Sequence, residues 1–240
     1  MAFCFMGLLL PLIPFFNWAT AKQKRHKHIF TLFKIWSNWF FVLIGMPIRR
    51  IMPNPAVRDL AGPVIICANH TSYMDIPVIT RTNWLYHKYI GKSELAKIPV
   101  FGPVFRDASI TVNRKDPSDR KLAIQKMSQE VDRGASIAIF PEGSINKTPP
   151  ALKPFRDGAF QVAIEKQIPI LPVTILDNWR ILPGDSKEMR NKTARVIYHD
   201  PISTRGMGLT DVKALKDQVC KTIEKPLRDY FPEEFKALDT

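Results

Sequence analysis

The chain alternates between short apolar runs and polar stretches, and from about residue 60 onward the apolar runs have the length of buried strands. Six of them are rich in β-branched residues and predict strands at 63–69, 87–91, 109–113, 136–140, 170–175 and 194–199. Three stretches with helical spacing predict helices over 117–133, 155–166 and 211–230, with Ser118 and Thr210 as N-caps of the first and third. This alternation indicates an α/β fold with a mixed sheet flanked by helices.

The first fifty residues follow another pattern. Residues 1–16 are almost wholly apolar but are short for a membrane span and are interrupted by Pro11 and Pro14. A basic stretch, KQKRHKH, separates them from a second apolar run at 29–48. The two runs predict an N-terminal membrane-associated helical hairpin over residues 1–55, with the α/β domain over 56–240.

Within the second run, four apolar residues fall at the spacing of one helix face, whereas the polar residues between them can lie on the other side. The apolar stripe is Phe33, Trp36, Phe40 and Leu43, and the polar side is Lys34, Ser37 and Asn38. The alternative is that these runs pack on the protein's own core.

The charge of the chain supports a membrane surface as partner. The formal net charge is +13, and eight of the basic residues precede the first acid, Asp59. The same segment is rich in Phe and Trp and follows an apolar run, a combination that favours an anionic lipid surface over nucleic acid. A cleaved signal peptide is less well supported, because the basic residues follow the apolar run instead of preceding it.

The three cysteines lie far apart and form neither a CxxC motif nor a Cys/His cluster. This spacing supports no disulfide framework and no structural zinc, and it is typical of a reducing compartment. No metal site or nucleotide-phosphate loop is predicted, so we expect no cofactor.

A polar turn directly follows the first predicted strand and contains His70 and Asp75. Functional side chains concentrate at the carboxyl ends of strands in open α/β sheets. Pro77 predicts that Ile76 lies outside helical geometry and that Asp75 lies just ahead of a helix. A histidine and an aspartate five residues apart across such a turn can fold back on one another, and a carboxylate that holds one ring nitrogen makes the imidazole a competent general base. Turn and helix capping is the alternative role for the pair.

A second polar loop, Phe140-Pro141-Glu142-Gly143-Ser144, also follows a predicted strand. Downstream, Lys153 and Arg156 flank the predicted start of the 155–166 helix. Backbone N–H groups at a helix start together with two cations make a candidate anion site, and a solvated basic turn is the alternative.

Four ordered blocks together resemble the glycerolipid acyltransferases, the family that includes 1-acyl-sn-glycerol-3-phosphate acyltransferase. The blocks are Asn69-His70-x-Ser72-x-x-Asp75; Lys92-Ser93-Glu94-Leu95 with Pro99, Gly102 and Arg114; Phe140-Pro141-Glu142-Gly143-Ser144; and Ile168-Pro169-Ile170-Leu171-Pro172-Val173.

The resemblance implies transfer of a fatty acyl group from acyl-CoA or acyl-carrier protein to a lysoglycerolipid hydroxyl, without an acyl-enzyme. By this likeness His70 is the general base and Asp75 orients it. The residues implied in substrate binding are Ser72, Lys92, Arg114, Glu142, Gly143, Ser144, Lys153 and Arg156. A location on the cytoplasmic face of a membrane follows, the inner membrane if the source is bacterial.

One position departs from the family pattern. Many phosphatidate-forming members carry arginine directly after this third block, whereas this chain has Ile145. The loss of a bidentate phosphate ligand leaves a different lysolipid acceptor open. A lipid or thioester hydrolase and a non-enzymatic membrane-binding protein are the remaining hypotheses, and the oligomeric state stays open.

Overall fold

The computed structural model describes residues 22–97, 101–113, 115–186 and 188–237. All six predicted strands are confirmed, and a seventh precedes them. The strands are β1 (Ile48–Ile51), β2 (Ile65–Ala68), β3 (His87–Lys92), β4 (Ser109–Val112), β5 (Ser136–Ile139), β6 (Ile170–Ile175) and β7 (Ala194–Tyr198).

One helix precedes the first strand, and the others lie between the strands and after the last one. They are α1 (Lys22–Leu43), α2 (Asp75–Thr82), α3 (Phe101–Ala108), α4 (Pro117–Asp132), α5 (Gly158–Glu165), α6 (Asn178–Ile181), α7 (Val212–Tyr230) and α8 (Pro232–Lys236). Short 3-10 turns lie at Pro55–Asp59, Ser93–Lys97 and Leu209–Asp211.

The strands form one mixed sheet in the order β1-β7-β6-β2-β5-β3-β4. All neighbours are parallel except β6 and β7, which are antiparallel. Strand β2 lies between β5 and β6, with Ile65 opposite Ile137 on one side and Ile170 on the other. The carboxyl ends of these three strands therefore meet at one edge of the sheet. Because β1 pairs with β7, the sheet draws its first strand from the segment ahead of the predicted boundary at residue 55.

Both faces of the sheet are covered, which explains why the central strand is apolar throughout. Side chains alternate along β2, so that Ile66 packs with Val78 and Ile79 of α2 and Phe41 of α1. Ile65 and Cys67 contribute to the opposite cluster, which draws on three helices. Its helical members include Met127 and Val131 of α4, Phe160 and Val162 of α5, and Leu215, Val219 and Ile223 of α7.

The helix predicted in the second apolar run is present as α1, but the prediction of its polar side is wrong. Ser37 is buried and its hydroxyl donates to the Pro77 carbonyl oxygen at 2.7 Å, while Lys34 Nζ donates to the Asn83 carbonyl oxygen at 3.0 Å. These polar groups face the protein because they satisfy carbonyls around α2.

The exposed side of α1 is mainly apolar instead, although Asn38 is exposed there as well. Ile35, Trp39, Val42 and Leu43 are all exposed, Trp39 by 63%. Ile29 and Phe41 are buried, so the helix also packs on the core, as the alternative interpretation holds. The first apolar run, residues 1–16, lies outside the described residues. Among the residues that are described, every helix falls short of the length and apolar character that crossing a membrane requires.

The predicted start of α2 and the predicted N-caps of α4 and α7 need correction. Helix α2 begins at Asp75 and includes Ile76, because Pro77 lies in the first turn, where a backbone N–H has no intrahelical partner to lose. The N-cap of α4 is Asp116, whose carboxylate accepts from Ser118 N at 2.8 Å. Before α7, Thr210 lies inside a 3-10 turn, and the Asp211 carboxylate accepts from Gly208 N.

Candidate active site

Three loops meet at the sheet edge where β2, β5 and β6 end. Residues 69–74 follow β2, residues 140–144 follow β5 and residues 176–177 follow β6. The Asn69 side chain joins the first to the third, since its Oδ1 accepts from Ile175 N at 2.7 Å and its Nδ2 donates to Ile175 O at 2.9 Å. The turn that carries His70 is therefore fixed to the end of β6.

His70 and Asp75 are brought together as the sequence predicts. The imidazole Nδ1 lies 2.8 Å from Asp75 Oδ2, and the Asp75 side chain is fully buried. The His70 ring is 12% exposed and stacks on Phe140 with 4.2 Å between ring centroids. Asp75 and Phe140 together fix the ring, and Nε2 is left as the nitrogen that can meet a substrate.

The Asp75 carboxylate receives four hydrogen bonds. Oδ2 accepts from His70 Nδ1 and from the backbone N–H groups of Thr71, at 2.7 Å, and Ser72, at 2.9 Å. Oδ1 accepts from Asn178 Nδ2 at 2.7 Å. These donors stabilise a buried carboxylate that would otherwise be costly to desolvate.

Asn178 is absent from the residues that the sequence pattern predicts for the site. It is the first residue of α6, three residues after the end of β6, and it is fully buried. The same rule that singles out His70, a polar residue just after an apolar strand, applies to Asp177-Asn178. The distance of 103 residues between Asp75 and Asn178 hid the connection.

Glu142 joins the second loop to the first. Its Oε1 accepts from His70 N at 2.7 Å, and its Oε2 accepts from Lys153 N at 3.1 Å. Burial raises the pKa of this carboxyl to about 6, against the opposing effect of the two backbone N–H groups. Glu142 therefore fixes the backbone of the turn that carries His70 to two other segments.

The neighbouring residues of the second loop fit tightly against the segment that precedes α5. Gly143 has a φ of +76°, and a Cβ at this position would overlap the Arg156 guanidinium. Arg156 N donates to Pro141 O at 2.9 Å, which explains why α5 begins only at Gly158 and not at the predicted residue 155. Lys153 Nζ donates to Ser144 Oγ at 2.6 Å.

The remaining predicted site residues have different surroundings. Ser72 is buried, its hydroxyl donates to Leu182 O at 2.6 Å and accepts from Met74 N at 3.1 Å. Lys92 is exposed at the end of β3 and pairs with Glu94 at 3.1 Å. Arg114 lies outside the described residues.

Comparisons with known proteins identify what this architecture is similar to. A family model described as Acyltransferase matches residues 48–176, a range that contains the first two loops and the first residue of the third. A chloroplastic 1-acyl-sn-glycerol-3-phosphate acyltransferase of Brassica napus is 32% identical over 142 residues, which are 58% of this chain and 41% of that protein. A 1-acyl-sn-glycerol-3-phosphate acyltransferase of Cocos nucifera is 32% identical over 177 residues, 70% of this chain and 56% of its own length.

The fold is also shared with a solved structure. The crystal structure of the 1-acyl-sn-glycerophosphate acyltransferase PlsC from Thermotoga maritima superposes with a TM-score of 0.78, covering 95% of this chain and 92% of that one at 18% identity. The chain spans about two fifths of the length of the plant chloroplastic relatives that it matches.

Proposed function

Because the chain belongs to the Acyltransferase family, we propose that it moves a fatty acyl group from an acyl thioester to the free hydroxyl of 1-acyl-sn-glycerol-3-phosphate, giving phosphatidate. The observation that carries this proposal is the His70–Asp75 pair at the end of β2, with all four hydrogen bonds to the buried carboxylate in place. The acyl donor is acyl-CoA or acyl-carrier protein, and the reaction needs no further cofactor.

The first step is removal of the acceptor's proton. His70 Nε2 takes the proton of the hydroxyl as its oxygen attacks the thioester carbonyl carbon, and Asp75 stabilises the imidazolium that forms. When the tetrahedral intermediate collapses, the carbon–sulfur bond breaks and the imidazolium returns its proton to the departing thiolate. The products are an ester and a free thiol, and His70 is neutral again.

The surroundings of Ser72 support direct attack by the substrate. The serine hydroxyl is held between Leu182 O and Met74 N inside the turn, so it serves the turn's own structure and not as a nucleophile. An acyl-enzyme at Ser72 would require these contacts to break first. The acceptor hydroxyl is therefore the nucleophile in this proposal.

The proposed substrate-binding residues have two kinds of role. Glu142, Gly143 and Ser144 are proposed to shape the acceptor side, where the loop contacts described above hold them. Lys92 and Arg114 are proposed to bind phosphate, together with Lys153 and Arg156.

The exposed face of α1 supports a location at a membrane. Trp39, Val42 and Leu43 are each more than 60% exposed, on a helix that begins in the basic stretch and contacts the protein beside α2. An apolar helix face with basic flanks is suited to the headgroup boundary of an anionic leaflet. We propose that this face lies on the cytoplasmic side of the membrane that holds the acceptor.

The test is thiol release by detergent-solubilised protein, with acyl-CoA or acyl-carrier protein as donor and lysophosphatidate, lysophosphatidylethanolamine or no acceptor. We expect release that depends on lysophosphatidate and disappears in His70→Ala and Asp75→Asn. His28→Ala, a change at an exposed histidine of α1, is the matched control and should retain activity.

Two results would contradict the proposal. Release that needs no acceptor would identify a hydrolase, and release that persists in His70→Ala would remove the histidine from the chemistry. A preference for lysophosphatidylethanolamine would retain acyl transfer and replace the acceptor.

A further inference from the structure

A small cavity lies behind the turn that carries His70, and Lys147, Arg180 and Arg190 are among the residues that line it. Its volume is about 180 Å³, and Thr71, the residue after His70, forms part of its wall. Asn146, another lining residue, donates its backbone N–H to the His70 carbonyl oxygen at 2.7 Å. The cavity is therefore connected directly to the turn that carries the general base.

Two buried donors in this lining have no partner among the described residues. Thr71 is 2% exposed and its hydroxyl is unpaired, and the indole N–H of Trp179 is also buried and unpaired. Buried polar groups in folded proteins almost always have a hydrogen-bond partner. An indole N–H can only donate, so its missing partner is an acceptor.

The charges around the cavity indicate what kind of acceptor fits. Lys147, Arg180 and Arg190 line it together with one acid, Asp185. Arg180 is held by an ion pair with Glu234 and lies 4.7 Å from the Trp179 ring centroid, so it is fixed in place but partly neutralised. Lys147 and Arg190 are both exposed to solvent, and neither has an ion pair in the part of the chain that the structure describes.

We propose that this cavity binds a phosphate group. Two buried donors and two unpaired cations match an anion with several acceptor oxygens. The volume is below the roughly 300–1,000 Å³ of sites that enclose a whole drug-sized ligand, so a headgroup fits and an acyl chain does not.

Ile145, which replaces the arginine of the family pattern, lies against the wall of this cavity. Its Cγ2 atom packs directly against Gly184, a residue of the cavity lining, where a Cβ at position 184 would overlap it. The chain thus has an apolar contact at the position where the resemblance implies arginine, while Lys147 of the same segment and Arg190 of another line the same cavity. The phosphate is that of the acceptor headgroup or of the acyl-CoA donor, and this assignment rests on the proposed function.

The binding test does not depend on catalysis. Glycerol 3-phosphate and coenzyme A are titrated separately against the full chain in phosphate-free buffer, with the thermal unfolding midpoint as the readout. We expect Lys147→Gln/Arg190→Gln to need at least tenfold more of the bound ligand for the same shift. Lys213→Gln/Lys221→Gln, which removes two exposed cations of α7, is the matched control and should respond like the wild type.

Thr71→Val gives a second, independent readout. If the hydroxyl binds phosphate, the variant loses the ligand-induced shift, although the removal of an unpaired buried hydroxyl leaves the ligand-free protein at least as stable. An equal response of wild type, Thr71→Val and Lys147→Gln/Arg190→Gln to both ligands would overturn the proposal.

Steady-state kinetics then distinguish the source of the phosphate. A rise of about tenfold in the KM for lysophosphatidate in Lys147→Gln/Arg190→Gln, with the KM for acyl-CoA unchanged, assigns the cavity to the acceptor. The converse assigns it to the donor. Absence of acyl transfer in the wild type would refute the proposed function alone, since the binding titration would still report on the cavity.

Discussion

Replacement of Asn178 by alanine tests whether the hydrogen bond from Asn178 to the Asp75 carboxylate contributes to the rate of acyl transfer. The change removes the one donor that Asp75 Oδ1 has in the described part of the chain and leaves the three donors to Oδ2 untouched. Both residues are fully buried, so water cannot readily replace the lost amide. With one of its two oxygens unsupported, the Asp75 carboxylate should hold the His70 ring less rigidly.

The expected size of the effect follows from the charge of the acceptor. A hydrogen bond to a charged group contributes about 1.5–3 kcal/mol, and we expect a loss of that order in the free energy of unfolding. If about 1.4 kcal/mol of it is also lost from the transition state, kcat falls about tenfold. The KM values of both substrates should change less than about twofold, because Asn178 lies behind the carboxylate and away from the substrates.

Asn83 provides the matched control. It is equally buried, and its Nδ2 donates to the neutral Leu85 carbonyl at 2.9 Å. Its Oδ1, like that of Asn178, has no hydrogen-bond partner among the described residues. Asn83→Ala should be destabilised by about 1 kcal/mol or more and retain the wild-type kcat. Steady-state kinetics give the kcat of both variants, and urea denaturation gives their free energies of unfolding. If Asn178→Ala keeps a kcat within twofold of the wild type, the amide serves the fold alone and the reasoning is refuted.

The other predictions concern the second loop and the exposed face of α1. Burial raises the pKa of Glu142 from 4.5 to about 6, so ionisation of this carboxyl destabilises the folded state. The wild type should lose about 2 kcal/mol of stability relative to Glu142→Gln as pH rises from about 3.5 to about 7, and parallel urea-denaturation profiles of the two proteins would contradict this. Gly143→Ala should unfold at lower urea concentration by about 1–3 kcal/mol, because its φ is positive and the space for a Cβ is filled. Trp39→Ser/Leu43→Ser should bind anionic vesicles at least tenfold more weakly in a sedimentation assay, with thermal unfolding unchanged. Leu209→Ser, at a similarly exposed leucine, is its control, and an equal effect there would refute the assignment of the face.

The strands of the sheet could be predicted because a buried strand appears in the sequence as a short run of apolar residues. Strands β2 and β6 are short apolar runs, and their ends are marked by polar turns. Strand β1 was missed because two of its four residues are exposed arginines and it follows directly on an apolar helix. An edge strand with such a composition is defined by its partner β7 and not by its own pattern.

The part of the site that is local in sequence could be predicted, and the part that depends on distant contacts could not. The five-residue spacing of His70 and Asp75 is local, and the geometry confirms that the two side chains meet. Asn178 was missed because nothing local links it to Asp75. The polarity of α1 was wrongly predicted because Ser37 and Lys34 bind carbonyl oxygens that only the folded chain presents.

The assembly of the site from three strand ends has a consequence for the order of folding. His70 and Glu142 are 72 residues apart and Asp75 and Asn178 are 103 apart, so neither contact can form before β2 has paired with β5 and β6. Closing such long loops is slow relative to local helix formation. During refolding from urea, the helical circular dichroism signal should therefore return before catalytic competence does, and activity becomes a reporter for the completion of the central sheet.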